Sequence, residues 1–342
     1  MAFHPLRKET QVIPMARPNK LNLLRNVSCV VVLFFIWQSS PSQPVSTRAS
    51  GQSAIAVKTE LVVLPVSVTD ANGNFVSSLT QPNFHVYENG RLQEVTAFQV
   101  GDTPVTVGLI VDHSRSMSPK LPQVAAAVTA FARSSNPEDE MFVVDFSDSA
   151  TVELMDAKPF SSDPGELAKA VSAVRASGRT ALYDAVAEGL LHLQLGRWDK
   201  RALIIVSDGG DNASLHTYAQ IQKLAQQSQV VIYSIVLADP DDQNAEENPG
   251  ALKRLSKDTG GLAFFPPTLE SVADISKTIA RDLREQYTLG FTPDQTNTLD
   301  SFREVKVKVT APGSGKIHVR TRPGYFRLEQ KQPSAKTGEN PS

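Results

Sequence analysis

Val105-Thr106-Val107-Gly108-Leu109-Ile110-Val111-Asp112-His113-Ser114-Arg115-Ser116-Met117 is an apolar run that stops at a carboxylate and is followed by two hydroxyls. A continuous apolar run of this kind suits a strand buried on both faces, as in a parallel sheet covered by helices. Outward from it, further strand-like runs occupy 141–146, 151–154, 202–206, 230–237 and the region of 262–265. Between them, apolar residues recur at helical spacing. Leu121, Val124, Val128 and Phe131 form one stripe; Leu167, Ala170, Val171 and Val174 a second; Leu182, Val186, Leu190 and Leu193 a third. Ile221, Leu224 and Ala225, then Val272, Ile275, Ile279 and Leu283, continue the series. Alternating strands and amphipathic helices predict an α/β domain over 104–285 built on a doubly wound, mainly parallel sheet, with these apolar positions as its core.

The flanks have a different texture. From 55 to 103 the pattern is strands and turns: 61–69, the turn Asn72-Gly73, 84–87, and 92–98 after Asn89-Gly90. Asn-Gly between strand-like runs signals a hairpin. Beyond Glu285 strands return at 287–291, 303–310 and 316–322, with a turn at 311–315. Val305, Val307 and Val309 alternate with Lys306, Lys308 and Thr310, and Ile317 and Val319 alternate with Lys316, His318 and Arg320. Such alternation buries one face and wets the other. Neither flank, 55–103 or 286–327, has enough strands alone, so the two are expected to form one small β-sandwich with the α/β domain inserted between them. Residues 328–342 are polar and expected to be disordered.

The N-terminus carries Arg7, Lys8, Arg17, Lys20 and Arg25 before residues 27–37, apolar except for Ser28. Residues 1–54 therefore read as an export signal and linker, and the protein is expected in the periplasm, the cell envelope or outside the cell. The stretch is shorter than the ~20 residues that span a bilayer, which leaves a short retained anchor as the alternative to cleavage. Met15 is an equally good start. The sole cysteine, Cys29, lies inside the apolar stretch, so the mature chain is expected to lack disulfides. A formal net charge of -2 over 342 residues provides no basic field for nucleic acid.

The chemistry-bearing residues sit after strands. Asp112, Ser114 and Ser116 follow the first α/β strand, Gly178-Arg179-Thr180 precedes a helix, and Ser207-Asp208-Gly209-Gly210-Asp211 follows the run 202–206. In doubly wound sheets ligands bind outside the carboxyl ends of the strands, at the switch point. Hydroxyl and carboxylate oxygens suit a hard cation such as Mg²⁺, with Mn²⁺ or Ca²⁺ as alternatives. The competing reading is that these residues cap helices, with Ser116 or Ser118 starting one helix and Ser214 the next.

The three loops together resemble the metal-ion-dependent adhesion site of von Willebrand factor type A domains and integrin inserted domains, over about 105–283. The resemblance implies a Rossmann-like fold. It also implies that Ser114 and Ser116 ligate the metal directly, that Thr180 ligates directly or through water, and that Asp112 and Asp208 act largely through water. Arg115 departs from the glycine often found before the second serine. The whole chain also resembles von Willebrand factor A related proteins abundant in acidobacteria, through 68–73, 84–90, Tyr287-Thr288-Leu289-Gly290-Phe291 and Arg322-Pro323-Gly324-Tyr325. The implied function is non-catalytic, metal-dependent capture of a protein or glycan ligand through an acidic side chain. An envelope assembly scaffold and a metal-assisted hydrolase are the alternatives.

Other signals are weaker. His113 beside Asp112 suggests a nucleophile pair, yet no G-x-S-x-G motif is present, and no H-E-x-x-H motif marks a zinc site. Gly313-Ser314-Gly315-Lys316 reads as a turn rather than a phosphate loop. Lys306, Lys308, Lys316, His318, Arg320 and Arg322 suggest either a polyanion-binding face or a solvated sheet face. The acidic stretch 239–247 reads as a solvated loop or a second cation site.

Overall fold

The computed structural model describes residues 61–154, 158–237, 249–293 and 302–326. The export segment at 1–54, the acidic 239–247 stretch and the 328–342 tail lie outside the described residues. Strands β1 (Val62–Asp70), β2 (Phe84–Glu88), β3 (Arg91–Gln93) and β4 (Val95–Gln99) come first. The α/β portion then runs β5 (Thr106–Asp112), α1 (Leu121–Ser134), β6 (Glu140–Phe146), β7 (Ala150–Glu153), α2 (Pro164–Ala173), α3 (Leu182–His192), β8 (Arg201–Ser207), α4 (Tyr218–Gln227), β9 (Val231–Val236), α5 (Pro249–Asp258), β10 (Ala263–Phe264) and α6 (Val272–Glu285). Strands β11 (Tyr287–Phe291), β12 (Phe302–Val309), β13 (Ile317–Arg320) and β14 (Gly324–Phe326) complete it.

The six-stranded sheet has the order β10-β9-β8-β5-β6-β7. All its pairings are parallel except that of β7, which returns antiparallel to β6. Central strands β5, β8 and β9 are buried on both faces, which is why they read as unbroken apolar runs. Val107, Leu109 and Val111 join the core packed by α1, α2 and α6, while Ile110 joins the core packed by α3, α4 and α5. The doubly wound reading is correct. One assigned core position is not: Leu224 on α4 is 38% exposed, at the rim of a cleft shared with Leu61.

The flanks form two four-stranded antiparallel sheets, β13-β1-β11-β4 and β14-β12-β2-β3. Each sheet mixes strands from before and after the α/β portion. One core joins them, with Leu64, Val66 and Val68 from β1, Phe84 and Val86 from β2, Leu289 and Phe291 from β11, and Val305 from β12. The single strand expected over 92–98 is two, because β3 pairs with β2 while β4 crosses to pair with β11 in the other sheet. Asn89 (φ 47) and Gly90 (φ 79) are both left-handed between β2 and β3, the requirement of a tight type I′ hairpin. Arg320 and Arg322, expected on a wet face, are respectively half-buried and buried at the junction with the α/β portion.

A buried carboxylate fixes the entrance to the central strand. Asp139, just before β6, accepts hydrogen bonds from the N–H groups of Val105 (2.8 Å) and Asn136 (3.1 Å). Burial nevertheless pushes its pKa up to about 6. Because this folded-state value lies above the ordinary 3.8, the folded protein holds the proton more tightly, and that stabilisation is lost as pH rises from 3.8 through about 6. Across this window the wild-type urea midpoint is expected to fall relative to that of Asp139→Asn, which has no proton to lose. Parallel midpoint-versus-pH curves for the two proteins would contradict this.

Candidate functional site

The site is built on the carboxyl ends of β5 and β8, adjacent parallel strands at the centre of the sheet. From β5 the chain passes through α1 to β6 on one side, while β8 lies on the other, so the gap between β5 and β8 is the switch point. Asp112 is the last residue of β5, and Asp208 is the first residue after β8. Both are buried, at 0% and 4% exposure. Each ends a strand whose apolar residues are locked into the core, so neither carboxylate can swing out to water without distorting the strand.

Hydrogen bonds hold Asp112 from two directions. Its Oδ1 accepts from the Ser114 N–H at 2.8 Å, closing the loop on itself, and its Oδ2 accepts from the Ser207 hydroxyl at 2.6 Å across the strand pair. Ser114 Oγ lies 3.2 Å from Ser116 Oγ, and the Ser116 hydroxyl donates to Asp208 Oδ2 at 2.5 Å. Asp112 is therefore linked through the Ser114 N–H, and Ser114 through the two serine hydroxyls, to Asp208. Thr180 comes from the loop before α3, which is tied to the segment beyond Asp208. Its N–H donates to Asn212 Oδ1 (2.9 Å) and its carbonyl accepts from the N–H groups of Asn212 (2.9 Å) and Ala213 (3.1 Å). Among the described residues, the Thr180 side chain makes no hydrogen bond to the other four.

Arg115 fits the loop without strain. Residues Arg115–Met117 make one 3-10 turn, and the residues other than glycine with left-handed backbone, Asn89 and Gln229, lie elsewhere. The capping alternative fails for the residues it named. Helix α1 starts at Leu121 after Lys120 with no side-chain cap, and the Ser116 hydroxyl is turned to Asp208 instead. Helix α4 is capped by Thr217, whose hydroxyl accepts from the Gln220 N–H. Ser214 instead donates to Asp211 and accepts from the Asp184 N–H in α3.

The electrostatics are those of crowded anions. Burial pushes the Asp112 pKa up to about 6, with repulsion from Asp208 next in importance, against the lowering effect of the Ser114 and Ser207 hydrogen bonds. Lys120 partly answers this charge. Its Nζ lies 3.9 Å from Asp208 Oδ2 and donates to the Leu237 carbonyl at 2.7 Å. Lys120, and the Ser207 hydroxyl as a partner of Asp112, are neighbours of the candidate site to which no role was assigned from the sequence. The oxygen donors, two of them mutually repelling carboxylates withdrawn from water, fit a hard divalent cation.

His113, weighed as a base, is no part of this surface. It is fully buried; its Nε2 lies 2.8 Å from the Val171 carbonyl and its Nδ1 faces Asp145 and the Val111 carbonyl. Burial works against its charge, but contact with Asp145 raises its pKa overall. It braces β5 against α2 and β6. Among the described residues, no group of three or more His, Cys, Asp or Glu side chains is arranged to hold a metal.

Residues 107–210, which contain all five candidate positions, match the family model described as von Willebrand factor type A domain. No curated protein matches the chain. Among solved structures, a von Willebrand factor type A protein from Catenulispora acidiphila is 12% identical with a TM-score of 0.47, over 80% of this chain and 75% of that one. An aerotolerance-related membrane protein from Bacteroides fragilis is 14% identical with a TM-score of 0.43, over 52% and 98%. The PilB minor pilin from Streptococcus sanguinis is 13% identical with a TM-score of 0.41, over 54% and 63%. Likeness this distant carries no argument about ligand or partner.

Proposed function

The chain contains a von Willebrand factor type A domain, a module commonly used for protein interaction, and from that premise we propose that it captures a partner through a divalent metal held by the β5–β8 loops. The observation that supports this reading is the link from buried Asp112, through the Ser114 N–H and then the Ser114 and Ser116 hydroxyls, to buried Asp208. Ser114, Ser116 and Thr180 would supply neutral oxygens to Mg²⁺ or Mn²⁺, and Asp112 and Asp208 the surrounding negative charge. Neutral direct ligands leave a cation incompletely neutralised, so an acidic side chain of a protein or glycan partner gains from binding there. This role is non-catalytic. It suits a protein that works at the cell envelope or beyond it, as the basic and apolar N-terminal segment suggests.

Metal affinity is the direct test. Titration calorimetry with Mg²⁺ and Mn²⁺ is expected to give saturable binding that weakens by about tenfold or more, ~1.4 kcal/mol, in Ser114→Ala and Asp208→Ala. Circular dichroism should remain unchanged in both variants. Partner capture from envelope extract should disappear in EDTA. Capture that persists in chelator, with both variants as effective as wild type, would overturn the proposal.

A further inference from the structure

At the β10 edge of the central sheet, next to the amino end of that strand, a cleft of ≈ 610 Å³ separates the α/β portion from the sandwich. One wall is α5 with the Gly260-Gly261 turn that leads into β10; the other is formed by β12, the end of β13 and residues 321–323. Its lining includes Lys253, Lys257, Lys306, Arg320 and Arg322 and no carboxylate. Lys253 and Lys257 stand four apart on α5 and so share a helix face, an arrangement that costs energy for like charges. Lys306 projects from the facing strand. None of the three has an ion-pair partner among the described residues, whereas Arg320 is offset by Asp282.

Arg322 is the unusual member. It is 2% exposed, and neither Nη1 nor Nη2 has a hydrogen-bond partner among the described residues. Burial lowers its pKa only to about 10, so it is a cation at neutral pH. A buried, uncompensated guanidinium is costly, and folds retain one where something else supplies the counter-charge. The wall that carries it is rigid: a Cβ on Gly260 would meet the Arg322 backbone nitrogen at 2.6 Å, so turn and strand end are already in backbone contact.

We propose that this cleft binds a phosphate group, with Lys253, Lys257 and Lys306 at its mouth and Arg322 supplying fixed positive charge from its wall. A phosphate dianion or a pyrophosphate matches several convergent cations better than a single carboxylate does. This site is separate from the Asp112–Asp208 loops and owes nothing to a metal there. It also gives a role to part of the basic sequence of the C-terminal strands: Lys306 and Arg322 converge with α5, while Lys308 stacks over Tyr87 away from the cleft.

The experiment uses the full chain in EDTA, so that the metal-site reading is not at stake, and titrates inorganic phosphate and then pyrophosphate by calorimetry and thermal shift, with chloride at matched ionic strength. Saturable binding is expected, weakened about tenfold or more by the double variant Lys253→Glu/Lys257→Glu and unchanged by Lys308→Glu. Arg322→Met should lose the thermal shift with phosphate. If that variant does not fold, the exposed double-lysine variant decides. Absence of saturable binding to both anions, or equal weakening by Lys308→Glu, would overturn the assignment. Binding of pyrophosphate alone would support it and point to a ligand carrying more than one phosphate.

Discussion

Asp282→Ala is expected to destabilise the protein by ~3–5 kcal/mol, the cost of leaving one member of a buried ion pair without its partner. Asp282 lies on α6 and is 4% exposed. Its Oδ1 accepts from Ser67 Oγ of β1 at 2.8 Å, and its Oδ2 accepts from the Tyr233 hydroxyl of β9 at 2.6 Å and from the Arg320 guanidinium of β13. One carboxylate thus joins a helix and a strand of the α/β portion to two strands of the sandwich. Removing it leaves the Tyr233 hydroxyl without an acceptor and the half-buried Arg320 guanidinium with only neutral ones, the Gly260 carbonyl and the Ser67 hydroxyl. The double variant Asp282→Ala/Arg320→Met should recover part of the loss, because the uncompensated cation goes with its partner. Urea unfolding of the three proteins checks this. If Asp282→Ala has a wild-type midpoint, or the second change adds its full cost, the pair is not coupled as described.

Gly261→Ala is expected to cost ~3 kcal/mol or more, at the upper end of what overpacking a rigid site produces. A Cβ at this position would lie 1.9 Å from the Ile232 carbonyl oxygen and 2.7 Å from its carbon. Ile232 sits in β9, paired with β8 along its whole length, so the carbonyl cannot retreat without disturbing the centre of the sheet. The contrast is Gly108, where the nearest atoms to an added Cβ are the side-chain ends of Leu203 and Phe142, which can repack. Thermal and urea unfolding should therefore rank Gly261→Ala below Gly108→Ala. The reverse order would show that the β9–β10 junction is more pliable than its contacts imply.

The sequence disclosed those parts of the fold whose physics is local. Unbroken apolar runs became the central strands, helical stripes became helices packed on both faces, and Asn89-Gly90 became a hairpin. The placement of Asp112 and Asp208 side by side was legible for the same reason: each follows an apolar run, and the ends of adjacent parallel strands converge. Ser207 as a partner of Asp112 was not legible, because it depends on the register between β5 and β8. The break between β3 and β4 was hidden too, since no local signal marks a strand that changes sheets. Arg303 shows the same limit. Its charge is met by Glu88 at 3.0 Å, on the neighbouring strand β2 of the same sheet, a partner that only the pairing of β12 with β2 reveals. Pairings that span more than two hundred residues leave no trace in a local window.

The pairing of β1 with β13, Ser67 opposite Arg320 and Thr69 opposite His318, also sets a timetable. As the chain emerges from the ribosome, every strand of the parallel sheet is available once residue 264 is out, and that sheet can form while synthesis continues. The sandwich has to wait for residues 317–326, although its own β1 was among the first parts made. During that interval Val62, Leu64, Val66 and Val68 have no partner sheet to cover them. Contacts of such long sequence separation form late and slowly. A chain that folds in this order passes through a stage in which the parallel sheet is formed and the apolar face of β1 is not yet covered.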